Sequence, residues 1–130
     1  MTGKREISIN TFTSRHPLVA VYETDIPGTK RKLYLAFEDG DLRARVTAAS
    51  QGRGLYELSE RLYRLNSRDA MAEQGWREQG TGSVQPLQAH HVRPRSKGRN
   101  DGKENLSGVT ARTHAKFHED RHLTPRPEPE

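Results

Sequence analysis

The sequence Leu87-Gln88-Ala89-His90-His91-Val92 predicts a short β-strand that ends in a pair of histidines. The stretch that follows, 93–103, is basic, contains glycine and lacks apolar periodicity, so it is predicted to be a loop. Val109-Thr110 indicates a returning strand, which Gly108 is expected to shorten or bulge. Residues 113–122 predict a helix. The predicted order in this part of the chain is therefore strand, loop, strand, helix.

The N-terminal half of the chain predicts an antiparallel meander. Three runs, 18–22, 32–37 and 42–48, have the length and the aliphatic and aromatic content of strands. Turn residues separate them, with Pro27-Gly28 after the first run and the hairpin signal Asp39-Gly40 after the second. Strands joined by such short turns pair with their neighbours along the chain, so one small sheet is expected here.

A helix is predicted to follow this meander. Leucines recur at helical spacing over residues 55–74, and Gly75 marks the expected end of the amphipathic helix. Residues 80–83 (Gly-Thr-Gly-Ser) have the composition of a linker. The helix would cover one face of the sheet and complete a small hydrophobic core.

Composition limits the possible functions. The chain has 130 residues, of which 31% are apolar and 30% charged, so one compact domain with a modest core is expected. A net charge of +5 favours a polyanionic partner. Without cysteine, neither a disulfide nor a cysteine-ligated zinc site can hold the fold. The apolar runs are too short to cross a bilayer, so we expect a cytoplasmic protein with no membrane partner.

Histidine spacing in the C-terminal part predicts a metal site. His114 and His118 are four residues apart, and on a helix they would project from the same face. Two imidazoles at that spacing can bind one divalent metal, and His90 is the best third ligand, arriving from the strand. Because neighbours on a strand point to opposite sides, His91 would face away from the metal. An imidazole outside the ligand set is the usual general base.

Polar and basic residues between the histidines extend this site. Asn105 is expected to bond backbone groups and so to position the loop. Residues 85–122 contain eight lysines and arginines against four acidic residues, whereas residues 1–84 contain thirteen against eleven. The excess is therefore concentrated around the histidines, as phosphate binding requires. The expected nucleic-acid contacts from the loop are Arg93, Arg95, Lys97, Arg99 and Lys103, with Arg43 and Arg45 of the meander as further candidates.

In order and spacing, residues 85–120 resemble the HNH endonuclease motif. The segments that carry the likeness are 87–98, Glu104-Asn105-Leu106 and His114-Ala115-Lys116-Phe117-His118. The resemblance implies a ββα-metal finger, in which two antiparallel strands, a loop and a helix surround one divalent ion. The expected fold class is then α+β, with this C-terminal finger packed on the N-terminal meander and helix.

The resemblance also implies a role for each site residue. His91 would be the general base, His90 and His118 metal ligands, His114 a further ligand, and Asn105 the central asparagine of the motif. The implied activity is hydrolysis of phosphodiester bonds in nucleic acid, with DNA favoured over RNA. The implied cofactor is one divalent ion, which the sequence leaves open among Mg, Mn, Ni, Co and Zn. A homodimer would allow two such sites to cut both strands.

The expected domain plan follows from these features. Residues 1–16 are expected to form a flexible N-terminal segment with at most a short edge strand, where Ile7 and Ile9 alternate. Residues 17–82 are expected to form a support or docking lobe, 83–122 the nuclease motif, and 123–130 a disordered tail. The chain departs from many HNH proteins, which carry Cys-x-x-Cys pairs that bind a structural zinc. Thr113 occupies the position of one such cysteine. The finger is therefore expected to be held by packing against the N-terminal strands and helix instead of by a zinc ion.

Two other functions remain open from the sequence. One is a non-catalytic module that binds metal and nucleic acid without cutting, although such a module would not need His91 as a base. The other is an antibacterial nuclease toxin with an acidic immunity partner. His122 continues the spacing of the helical histidines and is expected to be an exposed bystander, and His16 is expected to be structural or exposed.

Overall fold

The computed structural model describes residues 3–78, 80–95 and 98–116, which form an α+β structure with antiparallel sheets. The strands are β1 (Arg5–Ile7), β2 (Val19–Asp25), β3 (Lys32–Glu38), β4 (Asp41–Ala48), β5 (Leu87–His91) and β6 (Leu106–Thr110). The helices are α1 (Asn10–Arg15), α2 (Gln51–Glu73) and α3, which comprises residues 111–116 of the described chain. Two compact units, Met1–Arg64 and Leu65–Glu130, divide the chain. The boundary between the two units falls inside α2, whereas the expected boundary lay between residues 82 and 83.

The first unit contains a four-stranded sheet in the order β1-β2-β3-β4, with every neighbouring pair antiparallel. β2, β3 and β4 are the three predicted strands of the meander. Asp39 and Gly40 join β3 to β4, and their φ values of 53° and 80° are those of a two-residue hairpin turn. The Asp-Gly pair therefore forms the hairpin turn that the sequence predicted.

The N-terminal segment differs from the flexible stretch that we expected. Arg5, Glu6 and Ile7 pair with β2 as an edge strand, and α1 follows immediately. Phe12 of α1 is buried at 5% exposure, and Ile7 packs against the same core. Burial of these two side chains offsets the entropy of ordering the segment. Ile7 and Ile9 alternate as in a short edge strand, whereas the single buried Phe12 gives no helical periodicity, so the sequence did not reveal α1.

The core of the first unit is formed by one face of the sheet, α1 and the first part of α2. Its buried members are Phe12, Val21, Tyr34, Ala36, Val46, Ala48, Leu55, Leu58 and Leu62. Tyr34 is the largest fully buried side chain, and its ring packs directly on the helix backbone at Gly54. A Cβ at that position would overlap the ring. Glycine inside this helix is therefore a packing requirement.

α2 begins earlier than the predicted residue 55. The Ser50 hydroxyl accepts a hydrogen bond of 3.3 Å from the backbone N–H of Arg53, as an N-terminal cap does. Gly75, with a φ of 65°, ends the helix as predicted, and its N–H donates to the carbonyl of Ala72 at 2.9 Å. Among the described residues, no helix is long and apolar enough to cross a membrane.

The second unit contains a hairpin of β5 and β6, in which Leu87 pairs with Thr110 and His91 with Leu106. α3 follows β6 without an intervening loop. Contrary to our expectation, the strand is regular through Gly108, with no shift of register. A Cβ at Gly108 would lie 2.9 Å from Cγ of Met71, so glycine allows the end of α2 to approach the strand. The predicted helical continuation to residue 122 and the tail at 123–130 lie outside the described residues.

Candidate functional site

The β5–β6 hairpin presents different residues on its two faces because side chains alternate along each strand. Gln88 and His90 of β5 share a face with Ser107 and Val109 of β6, their register partners. His91 lies on the opposite face, as expected for the neighbour of His90. The face that carries His90 also borders a shallow cavity, lined by Glu78, Thr81, His90, Val92, Ser107, Val109 and Thr113.

His90 and His114 meet on this first face, although 24 positions separate them in the sequence. Their ring centroids are 5.4 Å apart and the ring planes are inclined at 76°. Two imidazoles on one tetrahedral zinc, with Zn–N bonds of 2.0–2.1 Å, have centroids separated by about 5 Å. The observed separation thus fits two ligands of a single metal ion.

Gln88 orients the second of these histidines. Its amide oxygen lies 2.9 Å from Nδ1 of His114. An amide oxygen only accepts, so Nδ1 carries a proton, and in the neutral imidazole Nε2 carries the lone pair. Ligating histidines commonly donate their second nitrogen to such an acceptor, which fixes tautomer and ring orientation. Sequence reasoning missed Gln88, and its only local signal is its position two residues before His90 on the same strand.

The third predicted ligand, His118, lies outside the described residues, as does the predicted bystander His122. Within residues 3–78, 80–95 and 98–116, no group of three histidine or acidic side chains is positioned to hold a metal. The structure therefore brings two of the three predicted ligands together. His16 is buried in the first unit, where Nε2 lies 2.9 Å from the Ser59 hydroxyl, a structural contact.

His91 is held by a buried carboxylate that the sequence did not reveal. Its Nε2 lies 2.7 Å from Oδ1 of Asp101, which is fully buried, and His91 itself is only 9% exposed. Because a carboxylate only accepts, Nε2 donates this hydrogen bond, and in the neutral imidazole Nδ1 carries the lone pair. Arg99 Nε lies 3.0 Å from both oxygens of Asp101, which compensates the buried charge.

The main chain of Asp101 is also anchored. Its carbonyl accepts a hydrogen bond of 3.0 Å from Nδ2 of Asn66 on α2. Asn66 is buried at 6% exposure. The carboxylate beside His91 is therefore fixed to a helix of the same unit, and the orientation of the imidazole depends on contacts 35 residues apart in sequence.

Asn105 lies where a positioning role requires it. Its Oδ1 accepts a hydrogen bond of 2.8 Å from the backbone N–H of Arg93, and its Nδ2 donates to the carbonyl of Asn100 at 2.7 Å. Nδ2 also lies 3.3 Å from the carbonyl of Arg93. The side chain is 8% exposed. Asn105 thus links Arg93, two residues after His91, to Asn100 on the other side of the loop.

The predicted basic loop residues divide into two groups. Arg93 and Arg95 are exposed, which suits contact with phosphate. Arg99 instead bonds Asp101, and Lys103 forms an ion pair with Glu73. Lys97 lies outside the described residues. Arg99 and Lys103 therefore have structural partners that sequence reasoning did not anticipate.

Glu78 forms a second buried polar cluster, at the start of α3. Its carboxylate accepts hydrogen bonds from the Thr110 N–H at 2.8 Å and from the Thr81 hydroxyl at 2.7 Å. The bond from the Thr110 backbone and those from the Thr81 and Thr113 side chains lower the pKa of Glu78 to about 2. Sequence reasoning placed this residue between the helix and a linker and gave it no role.

The first unit has one sheet face that its helices do not cover. By register, this face carries Tyr22 opposite Leu35, and Leu35 opposite Arg45. Tyr22 and Phe37 make an edge-to-face contact at 5.6 Å, and Nζ of Lys4 lies 4.9 Å from the Phe37 ring. Arg45 is exposed, whereas Arg43 is half-buried at the bulge of β4.

Comparison with known proteins gives no further information about this site. No protein-family model, no curated protein and no solved structure matches the chain. The function must therefore be inferred from the arrangement of the side chains.

Proposed function

We propose that the chain is a metal-dependent endonuclease of the HNH type, which hydrolyses phosphodiester bonds in nucleic acid, with DNA favoured. The observation that carries this proposal is the meeting of His90 and His114, from a strand and a helix, at a ring separation of 5.4 Å. Gln88 bonds Nδ1 of His114 and directs Nε2 toward a ligand role. The strand–loop–strand–helix order around these histidines supports a ββα-metal finger.

The proposed mechanism gives each residue a separate task. His90 and His114, with His118, would hold a divalent metal, which when bound supplies charge neutralisation at the scissile phosphate and at the leaving oxygen. His91 accepts the proton of the attacking water at Nδ1, because Nε2 donates to Asp101. Asn105 holds the backbone of Arg93, two residues beyond this base.

A second function, the non-catalytic binding module, is favoured by one observation. His91 is 9% exposed and bonded to a buried carboxylate, which gives this histidine a structural reason to be present. A base must reach the substrate water, whereas a structural histidine need not. The two functions therefore differ in what the loss of His91 does to cleavage and to folding.

The test is cleavage of supercoiled plasmid with Mg, Mn, Co, Ni or Zn, combined with metal titration. Removing a general base costs about 10²–10⁴-fold in rate, so His91→Ala should lower cleavage by at least about 100-fold while metal and DNA still bind. His90→Ala and His114→Ala should lose metal binding together with cleavage. His122→Ala is the matched control and should leave both unchanged. DNA binding with no cleavage by any form, under any of these metals, would instead establish the binding module.

We further propose that the open sheet face of the first unit contacts the nucleic acid. Aromatic rings flanked by cations are suited to a polyanion with exposed bases. Replacing Arg45 by alanine should lower the slope of log affinity against log salt by about 1. Arg53→Ala is the control, since that side chain pairs with Glu57 on α2. If the Arg45→Ala and Arg53→Ala proteins show equal salt slopes, the open sheet face does not contact the nucleic acid.

A further inference from the structure

We propose that Glu78, Thr81, Thr110 and Thr113 form a metal-free clamp, which takes the structural role of a tetrahedral zinc site and positions the helix that carries His114. Glu78 is the positioning residue of this clamp. The proposal rests on the proposed function only in that His114 is taken as a metal ligand.

The contacts within the clamp are short and converge on one carboxylate. Oε2 of Glu78 accepts from the Thr110 N–H at 2.8 Å and lies 3.2 Å from the Thr110 hydroxyl. Oε1 accepts from Thr81 at 2.7 Å. The Thr110 hydroxyl also lies 3.1 Å from that of Thr113 and accepts from the Thr113 N–H at 3.2 Å. All four side chains therefore belong to one connected network.

The spacing of the four residues is that of a metal knuckle. Each segment contributes a pair separated by two residues, 78 with 81 and 110 with 113. Structural zinc sites use paired ligands at this spacing because a tight turn directs both side chains to one point. Such a turn is present here, since the Gly82 N–H donates to the Glu78 carbonyl at 2.8 Å. The chain contains no cysteine, so hydrogen bonds make the connection that thiolates would make.

The clamp acts directly on the beginning of α3. Thr110 is the residue before this helix, and its hydroxyl bonds the backbone of the first turn as an N-terminal cap. A carboxylate at this end is also favoured by the helix dipole. His114 follows Thr113 directly, so any displacement of the first turn moves the imidazole relative to His90. Because the carboxylate of Glu78 bonds groups on both segments, its charge strengthens the connection between them.

The first experiment replaces all four clamp residues by cysteine (E78C, T81C, T110C and T113C together) and titrates the protein with Co²⁺ under reducing conditions. If the four positions converge, one equivalent should bind with the intense near-ultraviolet absorption of thiolate–cobalt charge transfer. The matched control places one cysteine at residue 83 instead of 81 (E78C, S83C, T110C, T113C). It should bind Co²⁺ at least tenfold more weakly. Absent thiolate absorption, or equal affinity in both proteins, would overturn the proposed geometry. This readout does not depend on nuclease activity.

The second experiment tests positioning. Glu78→Gln keeps the shape of the side chain but removes its charge, and we expect it to weaken Co²⁺ binding at the histidine site by about tenfold, as lost supporting contacts commonly do. Glu73→Gln is the control, because that exposed carboxylate pairs with Lys103 in the same unit. The four-cysteine protein loaded with zinc should bind the second metal with wild-type affinity.

Two outcomes would overturn the positioning role. One is a Glu78→Gln protein that melts at a lower temperature yet binds Co²⁺ within twofold of wild type. The other is a zinc-loaded four-cysteine protein that folds but fails to recover histidine-site affinity. If Glu78→Gln does not fold, the zinc-loaded protein decides the question alone. A wild-type protein that binds Co²⁺ but cleaves no DNA, with Co²⁺ binding still weakened by Glu78→Gln, would count against the proposed nuclease and leave the clamp supported.

Discussion

Replacing Asn105 by aspartate should destabilise the second unit in a pH-dependent way. The native side chain accepts one hydrogen bond, from the Arg93 N–H, and donates to the carbonyls of Asn100 and Arg93. An introduced carboxylate could keep the first bond but would face the two carbonyls with lone pairs. Two lost hydrogen bonds cost about 1–3 kcal/mol, and burial of the charge adds to this cost. We therefore expect a loss of about 2–4 kcal/mol at pH 8.

The pH dependence follows from the same contacts. A protonated carboxyl can donate to the Asn100 carbonyl, so the loss of stability should shrink between pH 8 and pH 5. Urea unfolding followed by tryptophan fluorescence measures this change, because the single tryptophan, Trp76, lies in the second unit. Glu104→Gln is the control, an exposed neighbour that should change stability by less than about 0.5 kcal/mol. An Asn105→Asp protein as stable as this control at pH 8 would refute the positioning role.

Four further predictions test other parts of the molecule. Gly108→Ala should cost about 1–3 kcal/mol in urea unfolding, because its Cβ collides with side chains packed on the strand, whereas Gly52→Ala, in open space on α2, should not destabilise. The pKa of Glu78 lies at about 2, below its ordinary 4.5. The stability that this carboxylate contributes to the folded protein is therefore complete above pH 4.5 and lost as the pH falls toward 2. An acid titration followed by tryptophan fluorescence should show this loss in wild type and not in Glu78→Gln. Arg95→Ala should reduce the salt slope of DNA binding by about 1, measured by fluorescence anisotropy at several salt concentrations, with unchanged urea unfolding. Arg99→Ala should lower the free energy of unfolding, because its guanidinium compensates a buried carboxylate.

Local patterns predicted the elements that depend on nearby residues. The meander follows from three apolar runs and an Asp-Gly turn, and its strands agree with the structure to within a few residues. The body and end of α2 follow from leucine spacing and Gly75. The alternation of Ile7 and Ile9 is compatible with the short edge strand β1, whereas α1 escaped prediction because Phe12 is a single buried side chain that produces no repeating pattern.

In the candidate site, too, local sequence patterns predicted some features and did not predict others. Adjacent histidines on a strand, followed by a further histidine in a predicted helix, were enough to predict that His90 and His114 share one face and that His91 does not. The supporting residues were not predictable in this way. Asp101 beside His91 and Gln88 beside His114 have ordinary loop and strand positions in the sequence, and only folding brings them within hydrogen-bond distance.

What the sequence by itself determined is therefore the set of candidate site residues and the elements that carry most of them. Periodicity and turn chemistry depend on residues that are close together in the sequence, so they can be recognised from the sequence itself. The tertiary structure alone decided which groups hold those side chains in place, including Gly108 beneath α2 and Glu78 at the start of α3. Those contacts join residues about 30 or more positions apart. Their stabilisation comes from desolvated hydrogen bonds and close packing, which exist only after the chain has folded.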